Sequence, residues 1–185
     1  LKLAPTPAGE RLREQLQALK LTRLEGIIDH VAQECAREKL GYLDFLERLL
    51  AVELEERRSR KVEMLLRFAA LPYKKPLESF DFDVQPSVDR RRVRDLSTLR
   101  FLEHGDNLLI VGPPGTGKTM LSIGLALKAC EAGRRVLFTT ADDLVSALGR
   151  AFPENRLEEK LKTYTTPTLL IIDEIGYLPL DKLQS

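Results

Sequence analysis

The sequence contains no tryptophan, and aromatic side chains make up 6% of its 185 residues. A chain so poor in aromatics must build its core from Leu, Ile, Val and Ala, and this composition favours helices. Only two cysteines are present, Cys35 and Cys130, and they stand far apart in the chain. That excludes a disulfide framework and points to reduced core thiols in a cytoplasmic protein. His30 and His104 have no Cys or His partner at ligand spacing, so a zinc site is not expected. No apolar run approaches the roughly 18 residues that a membrane-spanning helix needs, and no membrane partner is expected. The opening "LKLAPTPAGERL" has neither an initiator Met nor the apolar stretch of a secretory signal, so a processed or partial chain is expected. An excess of one charge is missing too: 29 basic residues face 28 acidic ones, a net charge of +1. The balance alone selects no partner. A slight basic excess in the first 75 residues shows where a nucleic-acid contact would lie.

What is present is organised. Residues 1–9 read as loose, and from Glu10 the apolar residues recur at helical spacing: Leu12, Leu16, Leu19, then Leu24, Ile27, Ile28 and Val31. Gly41 breaks the pattern, and a third helix carries Tyr42, Leu43, Leu46, Leu49, Leu50 and Leu54 on one side. It runs into "ELEERRSRKVEMLLRF", whose opposite charges lie at helical spacing; such pairs support an exposed helix by about 0.2–0.5 kcal/mol each. This stretch reads as a solvated connecting helix. The sharper alternative puts Arg57, Arg58, Arg60 and Lys61 on a phosphate backbone. Prolines 72, 76 and 86 then interrupt the helices. The expected organisation is a helical N-terminal domain over 1–71, a linker and lead-in helix over 72–104, and an ATPase segment over 105–185. The lead-in helix should follow Pro86, capped by Ser87.

From Asn107 the register changes. "NLLIVG" reads as a buried strand. "KTMLSIGLALKACEAG" is apolar nearly all round and reads as a buried helix ended by Gly133. "RVLFTT" is a second strand, "ADDLVSALGRAF" and "ENRLEEKLKTY" are helices, and "TLLIID" is a third strand. This alternation predicts an α/β fold with a parallel sheet.

The strongest chemical signal is "GPPGTGKT", which fits G-x-x-x-x-G-K-[ST] between an expected strand and an expected helix. Gly112, Pro113, Pro114, Gly115, Thr116, Gly117, Lys118 and Thr119 would form the nucleotide loop. The glycines let backbone amides turn inward toward phosphate oxygens, and the following helix adds its positive end. Lys118 would place a charge on the β- and γ-phosphates, and the Thr119 hydroxyl would ligate magnesium. "LLIIDE" supplies the second signal. Asp173 stands at the carboxyl end of a strand, where a magnesium-coordinating carboxylate belongs. Glu174 could activate a water, which favours hydrolysis over transfer to another substrate. The cofactors implied are ATP and Mg2+. Phe80 and Phe82 in "SFDFD" read as core, with a lining for the adenine pocket as the alternative.

The stretch "GPPGTGKTMLSIGLALKACEAGRRVLFTTADDLV", joined to "LLIIDEIGYLPLD", resembles the IstB family of ATP-binding helpers in insertion-sequence transposition. "LREQLQALKLTRLEGII" and "YLDFLERLLAVELEERRSRKVEMLLRFAALPYKKPLESFDF" are similar as well, so the likeness covers nearly the whole chain. The resemblance implies an AAA+ core preceded by an α-helical domain, with Gly112–Thr119 as nucleotide loop, Asp173 as magnesium residue and Glu174 as catalytic carboxylate. It also implies double-stranded DNA and a transposase as partners, and an ATP-dependent homo-oligomer. In such sheets a fourth strand lies between the first and third, while the third lies beside the second. The fourth and fifth strands, a polar sensor, an arginine finger and a lid would follow Ser185. Residues 1–185 alone are therefore expected to fold poorly and to hydrolyse ATP negligibly. Two rivals remain: a DnaC-type helicase loader, and a nucleotide-dependent assembly module without useful turnover. A small-molecule kinase is disfavoured by Glu174.

Overall fold

The computed structural model describes residues 7–177. They divide into two compact units, one up to Lys61 and one from Val62 onward. The first is helical. Helix α1 spans Pro7–Ala18, α2 spans Thr22–Glu38, and α3 spans Tyr42–Phe68. Pro7 starts α1, where its missing N–H costs nothing, so residues 7–9 are helical and not loose. The rest of the stretch expected to be loose, residues 1–6, lies outside the described residues. The break after α2 is made by Lys39, in a left-handed conformation at φ 54°, with the amides of Lys39 and Leu40 donating back to Ala36 and Cys35. Gly41 serves the next helix instead, its amide donating to Asp44 Oδ2 at 2.9 Å.

Leu16, Leu24, Val31, Cys35 and Leu49 form the core of this unit. Of the apolar residues expected on one side of the third helix, only Leu49 is buried. Tyr42, Leu43, Leu46, Leu50 and Leu54 are exposed. Glu53 is buried in their place, and its Oε1 accepts from Arg57 Nε at 2.7 Å.

The division between the units falls earlier than the boundary expected at 72. Leu65 and Ala69 explain why: they pack in one cluster with Ala126, Ala129, Cys130 and Val136, so the last turns of α3 belong to the second unit. Residues 72–104 are likewise part of that unit and not a linker. A single 3-10 turn, Leu77–Ser79, is followed by α4 (Arg90–Ser97) and α5 (Arg100–His104). Leu77, Phe80 and Val93 are buried with Leu121 and Leu125. The cap of α4 is Asp89, not Ser87; its side chain accepts from the amides of Arg91 and Arg92. Asp89 wins because its carboxylate also opposes the positive end of the helix.

Helix α6 (Lys118–Glu131) forms the centre. Eight of its residues are buried, Ile123, Ala126, Ala129 and Cys130 completely. Gly133, at φ 74°, follows its C-cap Ala132 and turns the chain into β1 (Val136–Thr140). Then come α7 (Ala141–Ala151), α8 (Leu157–Thr165) and β2 (Leu169–Asp173). The two strands pair in parallel, Val136 opposite Leu169 through Thr140 opposite Asp173. This is the adjacency that the resemblance implies for its second and third strands.

The strand expected over "NLLIVG" is not formed. Residues 106–113 carry no regular structure, and Leu109 and Val111 are 77% and 81% exposed. A strand exists only by pairing, and this segment has no partner among the described residues. A cavity of about 510 Å3, lined by Leu108, Ile110, Leu125, Leu170 and Ile172 among others, separates it from β2.

Candidate nucleotide site

Residues 114–117 turn tightly and feed directly into α6. Gly115 and Gly117 take left-handed backbone, at φ 79° and 81°, which a side chain would resist. Within the turn, the Thr116 hydroxyl donates to the Pro113 carbonyl at 2.9 Å. The amides of Gly115, Thr116 and Gly117 donate to no backbone acceptor among the described residues. Free amides leading into a helix N-terminus form a concave, positively polarised cradle suited to phosphate.

Lys118 is half-buried at the base of this cradle. Its ammonium donates to the carbonyls of Gly112 at 2.9 Å and Pro113 at 2.8 Å, so the side chain spans the loop and keeps a third N–H uncommitted. Next to it, Thr119 Oγ1 donates to Asp173 Oδ2 at 2.7 Å, although 54 residues separate the two in sequence. The other oxygen, Oδ1, accepts from the Glu174 amide at 3.0 Å. Both Asp173 oxygens are thus oriented, one by each side of the site.

The Thr119–Asp173 pair presents two hard oxygen ligands, which fits a magnesium ion that takes its remaining ligands from phosphates and water. Glu174 leaves the strand with φ 60° and is exposed. Its carboxylate has no hydrogen bond or ion pair among the described residues, so it is available to a water.

Of the basic residues singled out on α3, Arg57 and Arg60 are already paired. Arg57 holds Glu53, and Arg60 Nε lies 2.9 Å from Glu56 Oε1. The second oxygen of the buried Glu53 has no partner, so Arg57 is the charge that compensates it. Arg58 and Lys61 are exposed and unpaired among the described residues. The same holds for the side chains of Arg91, Arg92 and Arg94 on α4, whereas Arg90 pairs with Asp83 and lies 5.1 Å from the Phe82 ring centroid.

Sequence reading did not find what lies behind the loop. The 3-10 turn and Phe80 run along α6 on the side of its glycines. A Cβ placed on Gly117 would lie 2.6 Å from Phe80 Cε2, and one on Gly124 would lie 2.9 Å from Leu77 Cα. Glu78 Oε1 meets Lys128 Nζ at 2.5 Å. The available signal was the spacing of Gly117, Gly124 and Lys128, which brings all three to one side of a helix.

A parallel α/β unit whose glycine-rich loop opens a buried helix, with a strand-end aspartate on the loop's threonine, defines a P-loop nucleotide-binding domain. A family model described as IstB-like ATP binding protein matches residues 14–185. The chain belongs to that family. It is 43% identical over 172 residues to a protein of Geobacillus stearothermophilus whose name refers to insertion sequence IS5376 and to ATP binding; the match covers 93% of this chain and 68% of that protein. A Pseudomonas aeruginosa protein named for insertion sequence IS21 and ATP binding is 43% identical over 167 residues, 90% of this chain and 63% of its own length. A third, from Bacillus thuringiensis and named for IS232 and ATP binding, is 36% identical over 172 residues, 93% and 69%. The chain therefore spans about two thirds of the length of these relatives. Among the described residues no helix is long and apolar enough to cross a membrane.

Proposed function

We propose that this chain carries the nucleotide site of an ATP-driven helper of insertion-sequence transposition. In this reading the protein binds Mg·ATP at residues 112–119, assembles as a homo-oligomer on double-stranded DNA, hydrolyses ATP and recruits a transposase. The observation that carries it is the 2.7 Å bond between Thr119 and Asp173, which joins two motifs distant in sequence at the mouth of a phosphate cradle. The names of the relatives support the ATP and insertion-sequence parts.

The chain's own groups divide the work. The amides of Gly115–Gly117 and the start of α6 hold the phosphates. Lys118 adds a point charge that strengthens as charge builds on the transferred phosphoryl group. Thr119 and Asp173 would hold magnesium, which neutralises phosphate charge when bound with the nucleotide. Glu174 would accept the proton of the attacking water.

In the full-length protein, Lys118→Ala should weaken ATP binding about ten- to a hundredfold, the loss of a charge-assisted contact in a partly dry site. Unchanged affinity would remove the loop from the mechanism. Glu174→Gln should keep ATP binding, slow hydrolysis and hold the ATP-bound assembly on DNA.

For the DNA contact, the unpaired side chains are the informative ones. Arg58 and Lys61 on α3, and Arg91, Arg92 and Arg94 on α4, are free to meet phosphates, while Arg57 and Arg60 must first leave their carboxylates. Binding should fall with salt, each displaced counterion contributing about −0.9 to the log–log slope. Arg58→Ala with Lys61→Ala should flatten that slope. If it stays unchanged, and the Arg91→Ala, Arg92→Ala and Arg94→Ala triple variant flattens it instead, the contact lies on α4. DNA binding that required a replicative helicase would favour the loader reading.

A further inference from the structure

Residues 76–82 form a strap along α6, and its three anchors lie on one side of that helix. Glu78 pairs with Lys128 at 2.5 Å, Leu77 covers Gly124, and the Phe80 ring covers Gly117. The Phe80 contact is the close one that reaches the loop. The ring is 6% exposed, and its Cε2 and Cζ lie 2.6 and 3.3 Å from where a Cβ on Gly117 would stand. Gly117 is the N-cap of α6, at φ 81°, and directly precedes Lys118 and Thr119.

From these contacts we infer that Phe80 is a positioning residue for the nucleotide loop. Its ring occupies the space of the absent side chain and holds Gly117 in the left-handed conformation that aims the first amides of α6, and the side chains of Lys118 and Thr119, at the phosphates. The inference rests on the proposal that residues 112–119 bind nucleotide. It assigns Phe80 to the phosphate half of that site and not to the base. A ring that stacks on the base acts only on a ligand that carries a base, whereas one that shapes the phosphate cradle acts equally on a bare triphosphate. The neighbouring Phe82 meets Phe80 edge-on, with centroids 4.9 Å apart, and supports the ring from outside the loop.

The test is a double-mutant cycle in the full-length protein, read as dissociation constants for Mg·ATP and for magnesium tripolyphosphate, which has no base, with folding checked by thermal melting. Phe80→Leu shortens the side chain and retracts it from Gly117. It should weaken both ligands by the same factor, about three- to tenfold. Gly117→Ala should weaken both by about tenfold or more, since the new methyl meets strained backbone and the ring together. In the double variant the ring is gone, so the Gly117→Ala penalty should shrink by about threefold or more. Equal Gly117→Ala penalties in both backgrounds would overturn the proposal. So would a Phe80→Leu loss confined to ATP, which would place the ring at the base. Should Phe80→Leu fail to fold, Phe80→Met keeps the apolar volume without the planar ring, and the same outcomes apply. Lys118→Ala serves as the control. If it too leaves nucleotide affinity unchanged, the loop assignment itself falls, and this proposal with it; if Lys118→Ala is impaired and the cycle is additive, only the role of Phe80 is lost.

Discussion

The two segments that flank the nucleotide loop are both apolar, yet their surroundings are opposite. After the loop, α6 buries Leu121, Ile123, Leu125, Ala126, Leu127, Ala129 and Cys130 against α3, α4, the strap and the sheet. Before it, "NLLIVG" leaves Leu109 and Val111 almost wholly in solvent and forms no strand. The difference is in the source of hydrogen bonds. A helix satisfies its own backbone and needs only side-chain contacts from its neighbours, whereas a strand needs a second chain segment at ladder distance. A cavity, and not a neighbouring strand, lies between residues 107–110 and β2 among the described residues. Apolar composition thus marks a segment as suited to burial, and only a partner makes it buried.

The largest expected effect tests this contrast directly. Ile123→Ala empties a fully buried site among Leu127, Phe138, Leu66 and Ile171, and should lower unfolding free energy by about 2–5 kcal/mol. Val111→Ser should change it by no more than about 0.5 kcal/mol, as for other exposed sites. Urea titration of both variants checks the pair. A large loss at Val111 would mean that the segment is covered after all.

A second pair compares two helical glycines. At Gly124 a methyl group would gain about 1 kcal/mol of helix propensity but meet Leu77 Cα at 2.9 Å, and backbone moves less readily than a side-chain tip. Overpacking of this kind costs about 1–3 kcal/mol, so Gly124→Ala should destabilise on balance. Gly149 on α7 has nothing within 4 Å, and Gly149→Ala should stabilise by up to about 1 kcal/mol. Opposite shifts in thermal midpoint would confirm that the strap, and not the helix, dictates glycine at 124.

The smallest effect concerns the outer anchor of the strap. The Lys128 ammonium, followed by a backbone hydrogen bond, holds the Glu78 carboxyl below its usual range, and Glu78 in turn raises Lys128. A depressed carboxylate stabilises the fold above its unfolded pKa and loses that effect as pH falls through the folded value. A raised lysine stabilises below its unfolded pKa and loses the effect as pH rises through the folded value. The tether is therefore complete at neutral pH and fades at both extremes. Glu78 is largely solvated and Lys128 partly so, and the effect is small. Comparing thermal midpoints of the wild type and Glu78→Gln across pH should show a difference at neutral pH that narrows toward acid and alkali. A gap that stayed constant would mean that the contact contributes packing and not charge.

Much of the site was legible in the sequence because its parts are local. The loop's glycines, Lys118 and Thr119 are contiguous, and Asp173 follows a run of apolar residues that pairs as β2 in parallel with β1. The buried thiols of Cys35 and Cys130 also follow from apolar helical spacing. Burial raises the Cys130 thiol above its ordinary range. What could not be read depended on competition between alternatives of similar local quality. Ser87 and Asp89 are both good helix caps, and only Asp89 adds a carboxylate that opposes the positive end of α4. On α3, Leu43, Leu46, Leu50 and Leu54 form a stripe about 100° round the helix from Leu49, and the core of the first unit takes the face of Phe45 and Leu49 instead.

Sequence alone determined the glycine-rich turn that opens α6, the aspartate that ends β2 and the order of elements from α6 to β2, since each is encoded by residues within one turn or one strand of each other. Tertiary structure decided the rest: which apolar segment found a partner, which face of α3 was buried, and that a phenylalanine 37 positions before Gly117 would fill the space of its missing side chain. Those outcomes depend on distances between segments that no local pattern carries. They are set when the whole unit closes around α6.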